Sequence, residues 1–294
     1  MLYSTEHKVS PNYPTCLDYI RQHNRDTIVV DLMDEYNRFF PRSIGEDEEL
    51  GRVHVIHTLG NKVLVMTYTG SILFSYPLEG EFQPPLFKPR ALCIRNNLIF
   101  ISDLRNKMIF IFTLEGNSVS HFPCPDNSPS TPIKRPKGIA VDKDNTIYVS
   151  MLDSLQILNS TLPVHQIFGA GKIGKPKDVQ LFNEFILVLS WDNVTSVFFL
   201  TTDGLVVRQC VIRRHVQTYG YTGRPWYFDL DHYGNMLLIF FRESRSMLEL
   251  YSQDGNLIAS QKLSKLDRPR GLKLLKDKNL IAISAYGENS LYIM

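Results

Sequence analysis

The side chains in this sequence best placed to do chemistry are cations set beside prolines. Lys88 and Arg90 flank Pro89, Arg135 and Lys137 flank Pro136, Lys175 and Lys177 flank Pro176, and Arg268 and Arg270 flank Pro269. At Arg224-Pro225-Trp226 a tryptophan stands in the second place. Lys134, Lys172, Arg213, Arg214 and Lys265 lie close to these openings. If the fold brings them to one face, such cations attract phosphate-rich or acidic partners. Aromatic side chains interleave with them between Arg213 and Trp226, at Tyr219 and Tyr221. Stacking surfaces beside cations are what single-stranded nucleic acid requires. The plainer reading is that each cation pairs with an acid of a neighbouring unit.

Other chemistry is thinner. His54, His57, Asp178, Asp229, Asp231 and His232 could ligate a metal, but a metal needs three or four convergent ligands and these share no common position. Gly169 to Lys175 fits the G-x-x-x-x-G-K spacing of a phosphate loop, yet Pro176 stands where Ser or Thr would hold magnesium, and a strand follows instead of a helix. The pair Trp191-Asp192 has no preceding Gly-His partner and does not support a WD-repeat reading. The sequons Asn159-Ser-Thr161 and Asn193-Val-Thr195 carry no weight without a secretory signal.

The elements that must position these residues are short β-branched and aromatic runs punctuated by Gly, Asn, Asp and Pro. From Lys88 onward a unit recurs: a basic-Pro opening, a short strand, a tight turn, an apolar strand, a loop and two further strands. Second-strand starts at Thr27, Val63, Leu98, Thr146, Phe185, Met236 and Leu280 lie 35 to 51 residues apart. Four strands repeated at this period predict an all-β chain folded as a β-propeller of four-stranded antiparallel blades. Seven repeats can be counted, with six blades as the fallback, because residues 42–50 offer no good strand. The last copy stops after its third strand, so the N-terminal strand, at about residues 1–10, is expected to complete it and hide exposed sheet edges. Residues 1–294 then form one domain; a β-sandwich with insertions is the less economical alternative.

Composition agrees. Of 294 residues, 44% are apolar and 21% charged, which excludes a disordered chain. No apolar run approaches the length of a membrane helix, and Met1 to Ser10 lack the features of a secretory signal. Cys16, Cys93, Cys124 and Cys210 are widely spaced, as expected of reduced thiols in a cytoplasmic protein. The net charge of +2 is a cancellation: residues 1–86 hold 7 basic and 12 acidic side chains, residues 87–294 hold 25 and 18.

The units resemble NHL repeats. Arg135-Pro136-Lys137-Gly138-Ile139 and Arg268-Pro269-Arg270-Gly271-Leu272 match that family's opening, and Ile101 to Lys107 resembles its second-to-third-strand loop. The likeness is clear from Lys88 to Met294 and concerns the propeller alone, without the ring-finger, B-box and coiled-coil segments of the ubiquitin-ligase branch. It implies a non-catalytic binding or scaffold role, with a protein as the first expected partner and RNA or another acidic ligand as the second. No cofactor, metal or membrane is expected, and the protein would be monomeric or part of a larger complex. The expected binding face comprises Lys88, Arg90, Arg135, Lys137, Lys175, Lys177, Arg213, Arg214, Arg224, Trp226, Arg268 and Arg270. Loops carrying Arg105, Trp191, Arg242 and Tyr286 would confer specificity on the same face. The alternative is a propeller enzyme of the gluconolactonase-like or lyase-like type, with a metal in the central channel.

Overall fold

The computed structural model describes residues 27–31, 40–78, 88–123, 135–158, 166–192, 194–212, 223–242, 245–263, 266–275 and 280–294. They form 24 strands in six four-stranded antiparallel sheets. The first blade is β2 (Pro41–Asp47), β3 (Arg52–His57), β4 (Lys62–Thr67) and β5 (Ile72–Pro77). The next four begin at β6 (Pro89–Arg95), β10 (Ile139–Val141), β14 (Lys175–Phe182) and β18 (Phe228–Leu230), each followed in order by its three partners. The sixth runs β22 (Pro269–Leu275), β23 (Leu280–Ala285), β24 (Ser290–Ile293) and then β1 (Ile28–Asp31), which pairs antiparallel with β24.

The blade count is six, not seven. Among its described residues, the copy assigned to residues 27–40 supplies β1, the outermost strand of the sixth sheet. The spacer after it contains β2, the innermost strand of the first. β2 escapes a hydrophobic pattern because it buries Arg42, Glu46 and Asp47 where an ordinary strand would bury Val or Ile. The strand expected at residues 1–10 lies outside the described residues.

First strands touch in ring order, β2 to β6, β10, β14, β18 and β22, and β22 touches β2. Apolar side chains form one cluster at each of the six blade boundaries, so stability comes from blade-on-blade packing. Turns between first and second strands are tight. Asn96 and Asn97, both at positive φ (50° and 57°), make the two-residue link from β6 to β7 (Leu98–Asp103), a conformation asparagine tolerates.

Glycine in the repeat opening has a packing role. A Cβ on Gly271 would lie 2.2 Å from the Arg42 carbonyl oxygen of the next blade, and one on Gly138 would lie 2.6 Å from Asp178 Cα. Adjacent inner strands approach through these positions. Gly271→Ala should therefore cost about 1–3 kcal/mol of overpacking, read as a lower denaturation midpoint with an unchanged m-value.

Candidate functional site

Every blade opens with the same local chemistry. Pro41, Pro89, Pro136, Pro176, Pro225 and Pro269 are all buried, and the residue after each is Arg42, Arg90, Lys137, Lys177, Trp226 or Arg270. In the first, second, fourth and sixth blades the ladder slips at this point, between Pro41 and Ile44, Pro89 and Ala91, Pro176 and Asp178, and Pro269 and Gly271. A bulge takes one residue out of the ladder and re-aims its side chain. Serines of the preceding blade pin the same carbonyls: Ser102 Oγ donates to Lys137 O at 2.6 Å and Ser284 Oγ to Arg42 O at 2.8 Å.

The side chains converge on Trp226. Arg270 lies 5.0 Å, Lys177 5.6 Å and Arg90 5.8 Å from its ring centre, each from a different blade. Lys177 also sits 4.4 Å over Trp191, whose ring is 4.6 Å from that of Trp226 and whose Nε1 donates to Pro225 O at 2.6 Å. Arg224 reaches Trp191 at 5.8 Å, and Arg270 lies 5.9 Å from Tyr286. These indole faces partly offset the repulsion among the cations.

Burial nevertheless weakens the bases of the ring. Burial is the largest cause pulling down the basicity of Arg90, Arg270 and Lys177; neighbouring cations add to it, against an opposing pull from Tyr227 on both arginines and from the Lys137 hydrogen bond on Lys177. Lys137, buried beside Lys177 and donating to Pro176 O at 2.8 Å, is pushed down to about 7. Arg42 is only 8% exposed, and its Nε has no hydrogen-bond partner. Among the described residues no carboxylate comes within ion-pair distance of Arg42, Arg90, Lys137, Lys177 or Arg270.

A base whose folded-state pKa is lowered destabilises the fold below that value. The penalty fades as pH rises from about 7 toward the unfolded lysine's 10.5. Lys137→Met should therefore be more stable than the parent near neutral pH, with the gap closing toward pH 10; parallel denaturation series at several pH values read this directly.

Below the cation ring the channel is crossed. Tyr227, next to Trp226 in the fifth blade, donates its hydroxyl to Arg90 O at 3.2 Å in the second blade, on the opposite side of the six-membered ring. Beneath it lies a cavity of about 550 Å³ that reaches the turns between first and second strands, at the far end of the inner strands from the cations. Its upper wall holds Glu46, Asp178 and Lys273. Lys273 Nζ pairs with Asp229 Oδ2 at 3.1 Å, and the same oxygen accepts from Leu274 N at 2.8 Å. Asp178 Oδ2 accepts from Phe228 N at 3.2 Å, and burial pushes its carboxyl up to about 8. Burial likewise raises Glu46 to about 6, against the pull of Lys273.

Of the residues singled out by sequence, Arg90, Lys137, Lys177, Trp226 and Arg270 form this inner ring. Lys88, Arg135, Lys175, Arg224 and Arg268 are exposed at the same openings, Arg268 with Asp267 at 3.9 Å. Trp191, which ends the strand Phe185–Trp191, and Tyr286 stand beside the ring; Tyr286 N donates to Arg268 O and, in the loop carrying Arg105, Leu104 N donates to Lys88 O, each at 3.1 Å. Arg105 is exposed in the turn after Asp103, and Arg242 ends β19 (Met236–Arg242). Arg213 and Arg214 lie outside the described residues. Arg42 and Tyr227 were missed, although Phe40-Pro41-Arg42 repeats the Pro-cation dipeptide of the other openings.

The metal candidates do not assemble. His54 and His57 are on β3, a second strand; Asp231 shapes the turn before Asn235, accepting from its amide at 2.8 Å, and His232 stands beside Asp231 in that turn. Of these candidates only Asp178 lines the channel cavity, and buried Asp229 is paired with the Lys273 ammonium. Among the described residues no three His, Cys, Asp or Glu side chains come together as a metal would require.

No family model and no curated protein matches this chain. Solved structures do. A luciferin-regenerating enzyme is similar at a TM-score of 0.66 and 11% identity, over 91% of this chain and 94% of that one. A gluconolactonase from Xanthomonas campestris gives 0.67 and 11%, over 91% and 89%. A virginiamycin B lyase from Staphylococcus aureus gives 0.60 and 11%, over 91% and 98%. At this identity the likeness is one of fold. The resemblance to NHL repeats is thus carried no further than the propeller, with gluconolactonase-like fold neighbours.

Proposed function

We propose that this protein takes a small, multiply charged anion, bearing several phosphates or carboxylates, into the mouth of its central channel, a role nearer to that of a propeller enzyme than of a scaffold. The observation that carries this is the inner ring: Arg42, Arg90, Lys137, Lys177 and Arg270 hold the same position in five blade openings, three of them lie over Trp226, and no carboxylate among the described residues is within ion-pair distance. A cluster of half-buried cations costs stability, and an anion donated from solution relieves it. The fold neighbours, enzymes by name, add support for a small-molecule site. The residues present do not support a channel metal, so no metal-dependent step is derived.

A second reading, a scaffold for an acidic protein or RNA, draws on the exposed outer cations Lys88, Arg135, Lys175, Arg224 and Arg268. Calorimetry separates the two. Inorganic tripolyphosphate should bind with one-to-one stoichiometry and an affinity that falls with salt, and Arg135→Glu with Arg268→Glu should change it only a few-fold. Failure of tripolyphosphate to bind, with tight binding of a single-stranded RNA lost in that outer pair of variants, would replace the first reading with the second.

A further inference from the structure

The opposite end of the channel has inverse chemistry, and the ring's function does not use it. Tyr227 separates the mouth from the 550 Å³ cavity, a volume typical of small-ligand sites. Inside are two carboxyl groups, Glu46 and Asp178, and one cation, Lys273. At the rim are Glu48, Asp142, Asp144 and Glu184 against Arg95 and Lys143. Acidic groups therefore outnumber basic ones six to three, whereas the mouth is almost wholly basic. Between rim and upper wall the lining is aliphatic, with Leu92, Ile94, Ile139, Val141 and Leu272.

One polar atom in this cavity wall lacks a partner. Glu46 is 7% exposed; its Oε1 accepts from Tyr68 Oη at 3.0 Å, and its Oε2 has no hydrogen bond. Lys273 is already held by Asp229. Leaving a buried carboxylate oxygen unsatisfied costs about 1–3 kcal/mol or more, and a donor entering the cavity would remove that cost. We infer that the lower cavity is a second binding site, for a small organic ammonium ion with an apolar body, whose charged end is received by the free oxygen of Glu46. The aliphatic wall takes the body, and the acidic rim draws the cation in.

The test uses three probes of one length on the full chain: hexylammonium, hexanol and hexanoate, each titrated calorimetrically. Hexylammonium should bind at least tenfold more tightly than hexanol, and hexanoate more weakly than either. Glu46→Gln should lower hexylammonium affinity at least tenfold and leave hexanol affinity unchanged. Asp144→Asn with Glu184→Gln, both exposed, should weaken hexylammonium two- to fivefold, and this holds the test open if the Glu46 variant does not fold. Equal binding of hexanol and hexylammonium, or hexylammonium affinity untouched by Glu46→Gln in a folded protein, would overturn the proposal.

Discussion

Replacing Arg90 and Arg270 together by methionine is expected to weaken tripolyphosphate binding roughly 10²- to 10⁴-fold while raising the melting temperature of the ligand-free protein. Each guanidinium can supply charge-assisted hydrogen bonds worth about 1.5–3 kcal/mol, and about 1.4 kcal/mol is tenfold in affinity. The stability gain has a separate origin. Both groups are partly buried, and each is pushed down by burial and by Arg42. Methionine keeps the apolar stem against Trp226 and removes the charge. Opposite signs for binding and stability distinguish a ligand site from a structural cluster, because a cluster paired for stability would lose both. Calorimetric titration and thermal melts of the same preparations read the two effects.

Lys273→Met is expected to have the largest effect on stability, a loss of about 3–5 kcal/mol. The ammonium is the single cation within the upper cavity wall, and Asp229, 2% exposed at its side chain, depends on it. Removing it leaves a buried carboxylate with two backbone amides, Leu230 and Leu274, and no counter-charge. Adding Asp229→Asn should recover part of the loss, since asparagine removes the buried charge and keeps an acceptor for one of the two amides. Denaturant unfolding of the two single variants and the double variant gives the coupling; a double variant no more stable than Lys273→Met would show that the pair is not the source of the loss.

The all-β blades were legible in the sequence because their second and third strands are continuous apolar runs, as at Ile186 to Leu189, buried on both faces. The innermost strands were not. A strand lining a channel carries polar side chains among its apolar ones, so β2 reads as a charged spacer, and Lys273 reads as an interruption in GLKLL. That single misreading of β2 turned six blades into seven and hid Arg42. The basic openings were visible as residues, since proline and cation recur at each blade. Their convergence depends on bulges at Arg90, Lys177 and Arg270 that no composition or spacing reveals. Tyr227 gave no sequence signal, because its hydroxyl acts on a backbone carbonyl 137 residues away in the chain.

The chain's two tryptophans, Trp191 and Trp226, both stand at the channel mouth, so intrinsic fluorescence reports on that site alone. Titrating the protein with tripolyphosphate while recording tryptophan emission is the most direct test of the anion site. A saturable change in emission, shifted to higher concentrations by salt and lost in the Arg90→Met, Arg270→Met protein, is the predicted result. Emission that stays flat through millimolar tripolyphosphate, or that responds equally in that variant, would contradict it.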